Sequence, residues 1–133
     1  MKKLICIFVL VFISISSFAQ IQNYRSTHFS YKIKNENGGW GDWSKWEDSN
    51  LKIVFDLSKD IITIKSQKLQ VYRVIKYLDN FIDSAEGKQV EFSVIDQDYD
   101  KGHMRLRIEK NGRSQIYVDF DNIILCYVVV RTD

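Results

Sequence analysis

Three tryptophans recur at every third position of a glycine-rich stretch, and they are the residues of this sequence best suited to binding a ligand. They are Trp40, Trp43 and Trp46. An exposed indole ring offers a broad apolar face on which a sugar ring or a protein surface can stack. The alternative is structural, because the same side chains could close one end of a hydrophobic core. The spacing alone leaves both interpretations open.

A group of arginines beside a tyrosine is the second candidate for binding. Arg105, Arg107 and Arg113 approach Tyr117 if residues 103–120 form a hairpin. Guanidinium groups bind carboxylate and sulfate through paired hydrogen bonds. We therefore expect Arg105, Arg107 and Tyr117 to be ligand-binding residues together with the three tryptophans. The alternative is a solvated sheet face.

Metal chemistry has one weak candidate site. Asp96, Asp98 and Asp100 alternate along the chain, and Ca²⁺ prefers such oxygen ligands. The EF-hand pattern fails, because Lys101 stands at its glycine position and Arg107 at the position of its bidentate acid. We expect a solvated acidic loop, no bound metal and no cofactor.

Acid–base catalysis also has one candidate pair. His103 and Asp119 face each other if their strands form a hairpin, and a carboxylate beside an imidazole can orient a general base. Neither His28 nor His103 neighbours a serine or cysteine in a recognisable catalytic pattern. We expect a surface pair, and we expect that the protein is not an enzyme.

Alternation of apolar and polar residues predicts that strands position these groups. Phe29, Tyr31 and Ile33 share one face of such a strand, and a period of two is typical of half-buried strands. Turn-forming residues separate the apolar stretches, and the chain has no proline. The predicted strands lie near residues 27–34, 43–47, 51–57, 60–66, 69–77, 88–96, 103–109, 114–120 and 123–131. The last is apolar on both faces, so we expect it to be central or covered.

The turn around Gly112 can be derived from side-chain parity. A two-residue loop would place Ile108 on the face of Gln115 and mix core with solvent, so it is rejected. A three-residue loop pairs Glu109 with Arg113, with Gly112 in the left-handed position. This register sets Arg105 opposite Tyr117 and His103 opposite Asp119, and both pairs are favourable across strands.

Residues 69–86 fit two patterns. Val71, Val74, Leu78 and Ile82 recur at helical spacing. The first half is nevertheless rich in β-branched and aromatic residues. We favour a strand through Tyr77 followed by a helical turn or loop, with a helix as the alternative.

The amino end has the pattern of a cleavable secretory signal. Lys2 and Lys3 precede an apolar run over residues 4–15, and small residues at Ser17 and Ala19 fit signal peptidase. The run is shorter than the roughly 20 residues of a bilayer-spanning helix. We expect cleavage between Ala19 and Gln20, no transmembrane segment in the mature chain, and a periplasmic or secreted location.

The charge of the mature chain argues against nucleic acid as a partner, and the setting of its cysteine argues against a reactive thiol. The chain has 19 basic and 17 acidic residues, and two of the basic ones leave with the signal. The mature charge is therefore near zero, with no basic run to bind the phosphates of a nucleic acid. Cys6 also leaves with the signal, and Cys126 lies in an apolar stretch, where we expect a buried core residue rather than a reactive thiol.

Two resemblances can be compared with these patterns. The tryptophan spacing resembles the ladder of thrombospondin type 1 repeats, but the cysteines that follow that ladder are missing here, so we reject the relationship. Over most of the mature chain the sequence resembles a group of small exported β proteins of unknown function. That resemblance implies an all-β fold and no activity. Its residues are Trp43, Trp46, Ile62, Thr63, Ile64, Gln70, Tyr72 and Tyr117, Val118, Asp119, Phe120.

These observations predict one antiparallel β meander of about eight strands over residues 20–133, closed as a small barrel or folded as a sandwich. It is lipocalin-like by analogy of architecture only. The predicted function is that of an exported, non-enzymatic binding protein whose partner is a small hydrophobic molecule, a glycan or another protein. The alternative is a structural or protein-interaction role in the cell envelope, including that of an inhibitor. A hydrolase is the least favoured function.

Overall fold

The computed structural model describes residues 21–84, 87–110 and 113–132. The predicted signal, residues 1–19, and the predicted left-handed Gly112 lie outside the described residues. Within the described part of the chain, no helix has the length and apolar composition that crossing a membrane requires. The strands are β1 (Ile21–Ile33), β2 (Glu47–Asp48), β3 (Lys52–Asp56), β4 (Ile61–Lys65), β5 (Gln70–Ser84), β6 (Gly87–Ile95), β7 (Lys101–Glu109), β8 (Ser114–Asp119) and β9 (Ile123–Arg131).

The first strand closes the sheet into a barrel. From β3 to β9 each strand pairs with the next in an antiparallel meander. Residues 21–25 of β1 pair with β3, and residues 24–33 of the same strand pair with β9. The short strand β2 pairs with β1 outside this ring. The all-β prediction is therefore confirmed, and of its two alternatives the structure is a closed eight-stranded barrel with one additional strand.

Side chains that alternate along the strands fill the barrel. The ring of Phe55 lies 5.6 Å from that of Tyr24 and 6.2 Å from that of Phe92, measured between centroids. An eight-stranded barrel is just wide enough for side chains to fill its interior. The buried core consists of Tyr24, Ile53, Phe55, Ile62, Ile64, Tyr72, Val74, Phe92, Val94, Met104, Leu106, Ile116, Val118, Tyr127 and Val129.

The derived register between β7 and β8 is confirmed. Arg105 pairs with Tyr117, and His103 pairs with Asp119. The Glu109 N–H donates to the Arg113 carbonyl oxygen at 2.9 Å, as the three-residue loop requires. Parity alone was sufficient here because one face of each strand is apolar and the other is polar.

The prediction of a helical turn or loop after Tyr77 was wrong, and so was the helix alternative. Strand β5 continues to Ser84, and its register with β6 shifts twice, between Val74 and Lys76 and between Leu78 and Ile82. At the first shift β5 has one extra residue relative to β6, and at the second it has two. Positions that share a face of the strand are thereby three and then four residues apart instead of two. The apolar residues of such a strand therefore recur in the sequence at a spacing close to that of a helix.

Two other strand boundaries also differ from the prediction. Strand β1 begins at Ile21 instead of near residue 27. The strand predicted at 43–47 is reduced to Glu47–Asp48, because residues 40–46 follow the edge of β1 without a regular ladder. We call residues 40–46 the tryptophan segment.

Strand β9 is covered on both faces, as predicted. Tyr127 and Val129 belong to the core, while the alternate residues Cys126 and Val128 point to the outer face and are also buried. The prediction that Cys126 is buried is confirmed, but it lies outside the barrel interior. Something must therefore cover this part of the outer face.

Candidate functional site

The tryptophan segment folds back along β1 through a tight turn. Lys34 and Trp40 form a bridge, and the Asn35 N–H donates to the Gly39 carbonyl oxygen at 2.6 Å. Gly38 has a φ of 88° there, a conformation that a residue without Cβ adopts at little cost. The Gly41 N–H then donates to the carbonyl oxygen of Ile33. The segment therefore lies against the edge of β1.

The buried hydroxyl of Ser30 and the backbone and hydroxyl of Ser44 attach the segment to the barrel. The Ser30 hydroxyl donates to the Ser44 carbonyl oxygen at 2.8 Å. Two backbone N–H groups also join the segment to β1. The Ser44 N–H donates to the Tyr31 carbonyl oxygen at 2.7 Å, and the Tyr31 N–H donates to Ser44 Oγ at 3.0 Å. Because Ser30 is fully buried on the outer side of β1, its hydroxyl requires such a partner.

Two of the three tryptophans are engaged by cations. The Lys32 ammonium lies 4.8 Å from the ring centroid of Trp43 and 5.8 Å from that of Trp40. The Lys34 ammonium lies 5.8 Å from Trp40 as well. These distances are in the range of cation–π attraction. Trp40 and Trp43 therefore have partners within the protein.

The predicted arginine and tyrosine patch joins this stack. The ring of Trp43 meets that of Tyr117 edge-on at 6.4 Å, and the Arg105 guanidinium lies 4.3 Å from the Tyr117 centroid. Arg105 also binds Asp119 through two hydrogen bonds of 2.8 and 3.0 Å. The structure thus brings Trp43, Tyr117 and Arg105 together. Arg107 lies on the same face, opposite Gln115, and is exposed.

Cys126 lies beside Tyr117 and Ser30 on the outer face, as the cross-strand partner of both. Only 2% of its surface is exposed. Burial raises the pKa of its thiol to about 11. A thiol with so raised a pKa is mostly protonated at neutral pH and is a poor nucleophile.

Trp46 is different from the other two tryptophans because a cavity opens beside it. It is 54% exposed, against 39% for Trp40 and 43% for Trp43. The cavity has a volume of about 250 Å³ and is lined by His28, Trp46, Arg113, Gln115 and Val128. We call it the Trp46 cavity. It combines an indole face with side chains that form hydrogen bonds, which is the chemistry of a small-molecule site.

Several lining residues of the Trp46 cavity could not be found from the sequence. His28 lies beside Val128 only because β1 pairs with β9. Local sequence patterns do not predict a pairing between strands a hundred residues apart. Arg113 and Gln115 follow from the derived β7–β8 hairpin, but their proximity to Trp46 does not.

The expected pair of His103 and Asp119 does not form between side chains. Asp119 is held by Arg105, and His103 Nε2 instead lies 3.6 Å from Glu91 Oε2. The other Glu91 oxygen accepts a hydrogen bond from Gln89 at 3.0 Å. An oriented base of His103 and Asp119 is therefore absent from this face.

The three aspartates of the acidic loop lie at one end of the barrel. Asp96 Oδ1 accepts hydrogen bonds from the backbone N–H groups of Asp98 and Asp100, both at 2.9 Å. This carboxylate therefore organises its own loop. Among residues 21–84, 87–110 and 113–132, no three acidic, histidine or cysteine side chains are gathered so that they could hold a metal ion.

Comparison of the chain with protein-family models, with curated proteins and with solved structures found no match. The resemblance to small exported all-β proteins stays a prediction.

Proposed function

We propose that this protein is an exported, non-enzymatic binding protein that holds a glycan against Trp46. The observation that carries the proposal is the Trp46 cavity, in which a half-exposed indole stands beside His28, Arg113 and Gln115. A sugar ring has an apolar C–H face and a rim of hydroxyls. It therefore matches a surface with one aromatic wall and several polar side chains.

One observation favours the outer face over the barrel interior as the place of binding, and another favours Trp46 over the other two tryptophans. The interior is occupied by large buried side chains, among them Tyr24, Phe55 and Met104. Trp40 and Trp43 already contact lysines and Tyr117. A small hydrophobic ligand inside the barrel is therefore less well supported than a glycan outside it.

Export is part of the proposal. Its support is the pattern of residues 1–19, in which Lys2 and Lys3 precede an apolar run and the small residues Ser17 and Ala19 precede the predicted cleavage point.

Single substitutions of the tryptophans test the proposed site. In a glycan-array screen followed by calorimetry, we expect Trp46→Ala to weaken binding about tenfold or more, because the variant loses the apolar surface against which the sugar ring packs and about 1.4 kcal/mol corresponds to a factor of ten in Kd. Trp40→Ala is the matched control, since it removes the same side chain from the same segment away from the cavity. Equal losses for both variants, or no glycan bound by the native protein, contradict the proposal.

A further inference from the structure

A second cavity opens at the end of the barrel where the β4–β5, β6–β7 and β8–β9 connections meet. It has a volume of about 340 Å³ and is lined by residues 66, 68–72 and 96–98 together with Phe120 and Leu125. We call it the mouth cavity. Its volume lies at the lower end of the roughly 300–1,000 Å³ typical of small-molecule sites, which occur often in the mouths of β-barrels. The mouth cavity therefore has room for one small molecule.

The floor of the mouth cavity is apolar and closed. The ring of Tyr72 lies 6.4 Å from that of Phe120, measured between centroids, and only 3% of the surface of Tyr72 is exposed. Leu125 packs against the same core. Leu69, by contrast, is 49% exposed. A ligand therefore stops at the two rings instead of entering the barrel, and it can bury an apolar group between them and Leu69.

The uncharged polar groups of the β4–β5 side are engaged with one another. The Tyr72 hydroxyl donates to Gln70 Oε1 at 2.7 Å, and Gln70 Nε2 donates to Ser66 Oγ at 3.1 Å. The Ser66 hydroxyl in turn donates to the Lys68 carbonyl oxygen. This chain of hydrogen bonds holds the β4–β5 connection in place. Recognition of a ligand is thereby left mainly to the charged side chains of the lining.

The lining contains side chains of opposite charge that come from different connections. Lys68 belongs to the β4–β5 connection and Asp98 to the β6–β7 loop, and both are exposed. Within the described part of the chain, neither forms an ion pair with the other or with a third residue. Asp96 adds a second carboxylate, of which one oxygen accepts hydrogen bonds from its own loop. The cavity therefore offers an ammonium and two carboxylates above an apolar floor.

We infer that the mouth cavity is a second binding site, which takes a small zwitterion with an apolar body, of the class of a free hydrophobic amino acid. The ligand's ammonium pairs with Asp98 and Asp96, and its carboxylate pairs with Lys68. Its apolar side chain packs on Tyr72 and Phe120. A ligand with a single charge would also stand near a like charge, which disfavours it. The inference goes beyond the proposed glycan site, since the two cavities have no lining residue in common among those described.

Matched ligands test which groups the mouth cavity recognises. L-Leucine and L-phenylalanine are the zwitterions. Isoamylamine and phenethylamine keep the same apolar bodies without the carboxylate, while 4-methylpentanoate and 3-phenylpropionate lack the ammonium. Glycine keeps both charges without an apolar body. Affinities are measured at pH 7 and constant ionic strength by NMR titration of the isotope-labelled mature chain, which also shows which amide signals shift.

Five variants complete the test. Lys68→Gln and Asp98→Asn each remove one charge at an exposed position, so that the fold should persist. Lys65→Gln and Asp121→Asn are the matched controls, because both positions are exposed and neither lines the mouth cavity. Trp46→Ala separates this site from the proposed glycan site.

We expect the native protein to bind at least one zwitterion about threefold or more tightly than its matched amine, its matched carboxylate and glycine, since each exposed ion pair contributes modestly. Lys68→Gln should lower the affinity for the zwitterion without lowering that for the amine. Asp98→Asn should lower the affinities for the zwitterion and the amine without lowering that for the carboxylate. The controls and Trp46→Ala should bind as the native protein does.

Any of four results overturns the inference. They are the absence of shifts at residues 66–72 and 96–98 with either zwitterion, equal affinities for zwitterion, amine and carboxylate, zwitterion affinities unchanged in both Lys68→Gln and Asp98→Asn, and loss of zwitterion binding in Trp46→Ala. None of them decides the proposed function, which depends on the glycan affinities of Trp46→Ala and Trp40→Ala.

Discussion

The Arg105 guanidinium makes two different contacts at once. Its face covers the ring of Tyr117 at 4.3 Å, and its edge donates to both oxygens of Asp119. Both partners of the ion pair are less than one third exposed, so that solvent screens the pair only in part. Arg105 thereby connects Asp119 to Tyr117, and through Tyr117 to Trp43 of the tryptophan segment.

Replacing Arg105 should destabilise the barrel from its outer face. We expect Arg105→Ala to lower the free energy of unfolding by roughly 1–3 kcal/mol, because it leaves a half-buried carboxylate without its partner and removes a cation–π contact. Arg105→Lys should recover little of this loss, since an ammonium cannot make the bidentate contact. Urea unfolding of the purified variants measures both effects. Arg107→Ala, an exposed position on the same strand and face, is the control and should change stability by about 0.5 kcal/mol or less.

The tryptophan segment acts as a cover for one part of the sheet. Hydrogen bonds of Ser30 and Ser44 hold it to β1, and Trp43 extends from it to Tyr117. Cys126 is the cross-strand partner of Tyr117 and is buried beside it. This explains how the outer face of β9 can be apolar in a barrel whose neighbouring outer faces are polar.

The reactivity of Cys126 reports on this cover. At pH 8 we expect the native thiol to react with an aromatic disulfide reagent at least about tenfold more slowly than the urea-unfolded chain, because it is buried and its raised pKa keeps it protonated. Trp43→Ala should speed the reaction of the folded protein by removing the ring above Tyr117. Trp46→Ala serves as the matched control, since Trp46 lies beside Val128 instead. Equal rates for both variants would show that the Trp43 ring does not shield the thiol.

A strand and its register could be predicted from the sequence wherever one face of the strand is apolar and the other is polar. The β7–β8 register followed from parity, because Met104 and Leu106 alternate with Arg105 and Arg107. Strand β5 was not predictable in the same way, because its two bulges shift the apolar spacing toward that of a helix. The tryptophans were recognised as binding candidates by type, but only the structure separates the ring beside a cavity from the two that contact lysines.

The barrel as a whole places residues together that no local pattern connects. Pairing of β1 with β9 brings His28 next to Val128, and the folding back of the tryptophan segment adds Trp46 to the same surface. Long-range pairing of this kind depends on closure of the entire meander. The fold class could therefore be predicted from the sequence, whereas the composition of the Trp46 cavity could not.

The pH dependence of stability also belongs to the whole barrel. Burial raises the pKa of Tyr72, of Tyr117 and of Tyr127. The pKa of Tyr77 is raised to about 12, first by burial and then by its hydrogen bond to Asp60. In each case the folded chain keeps a proton that the unfolded chain loses near pH 10. The resulting stabilisation is complete below about pH 9–10. It is lost as the pH rises toward and through the raised pKa values that the tyrosines have in the folded protein.

We therefore expect the free energy of unfolding to fall between about pH 10 and pH 12, by up to about 1.4 kcal/mol per pH unit for each proton that a buried tyrosine retains only in the folded state. Tyr77 contributes less, because its ring is 48% exposed and solvent screens it. Urea unfolding at a series of pH values measures the slope, and tyrosinate absorbance near 295 nm measures the titration directly. Tyr77→Phe should make the slope shallower, because it removes one of the retained protons. Asp60→Asn should do so as well, since it removes the negative charge beside the Tyr77 hydroxyl, while asparagine tolerates the φ of 54° found at this turn. A native titration curve that coincides with that of the unfolded chain would contradict raised pKa values for these four hydroxyls.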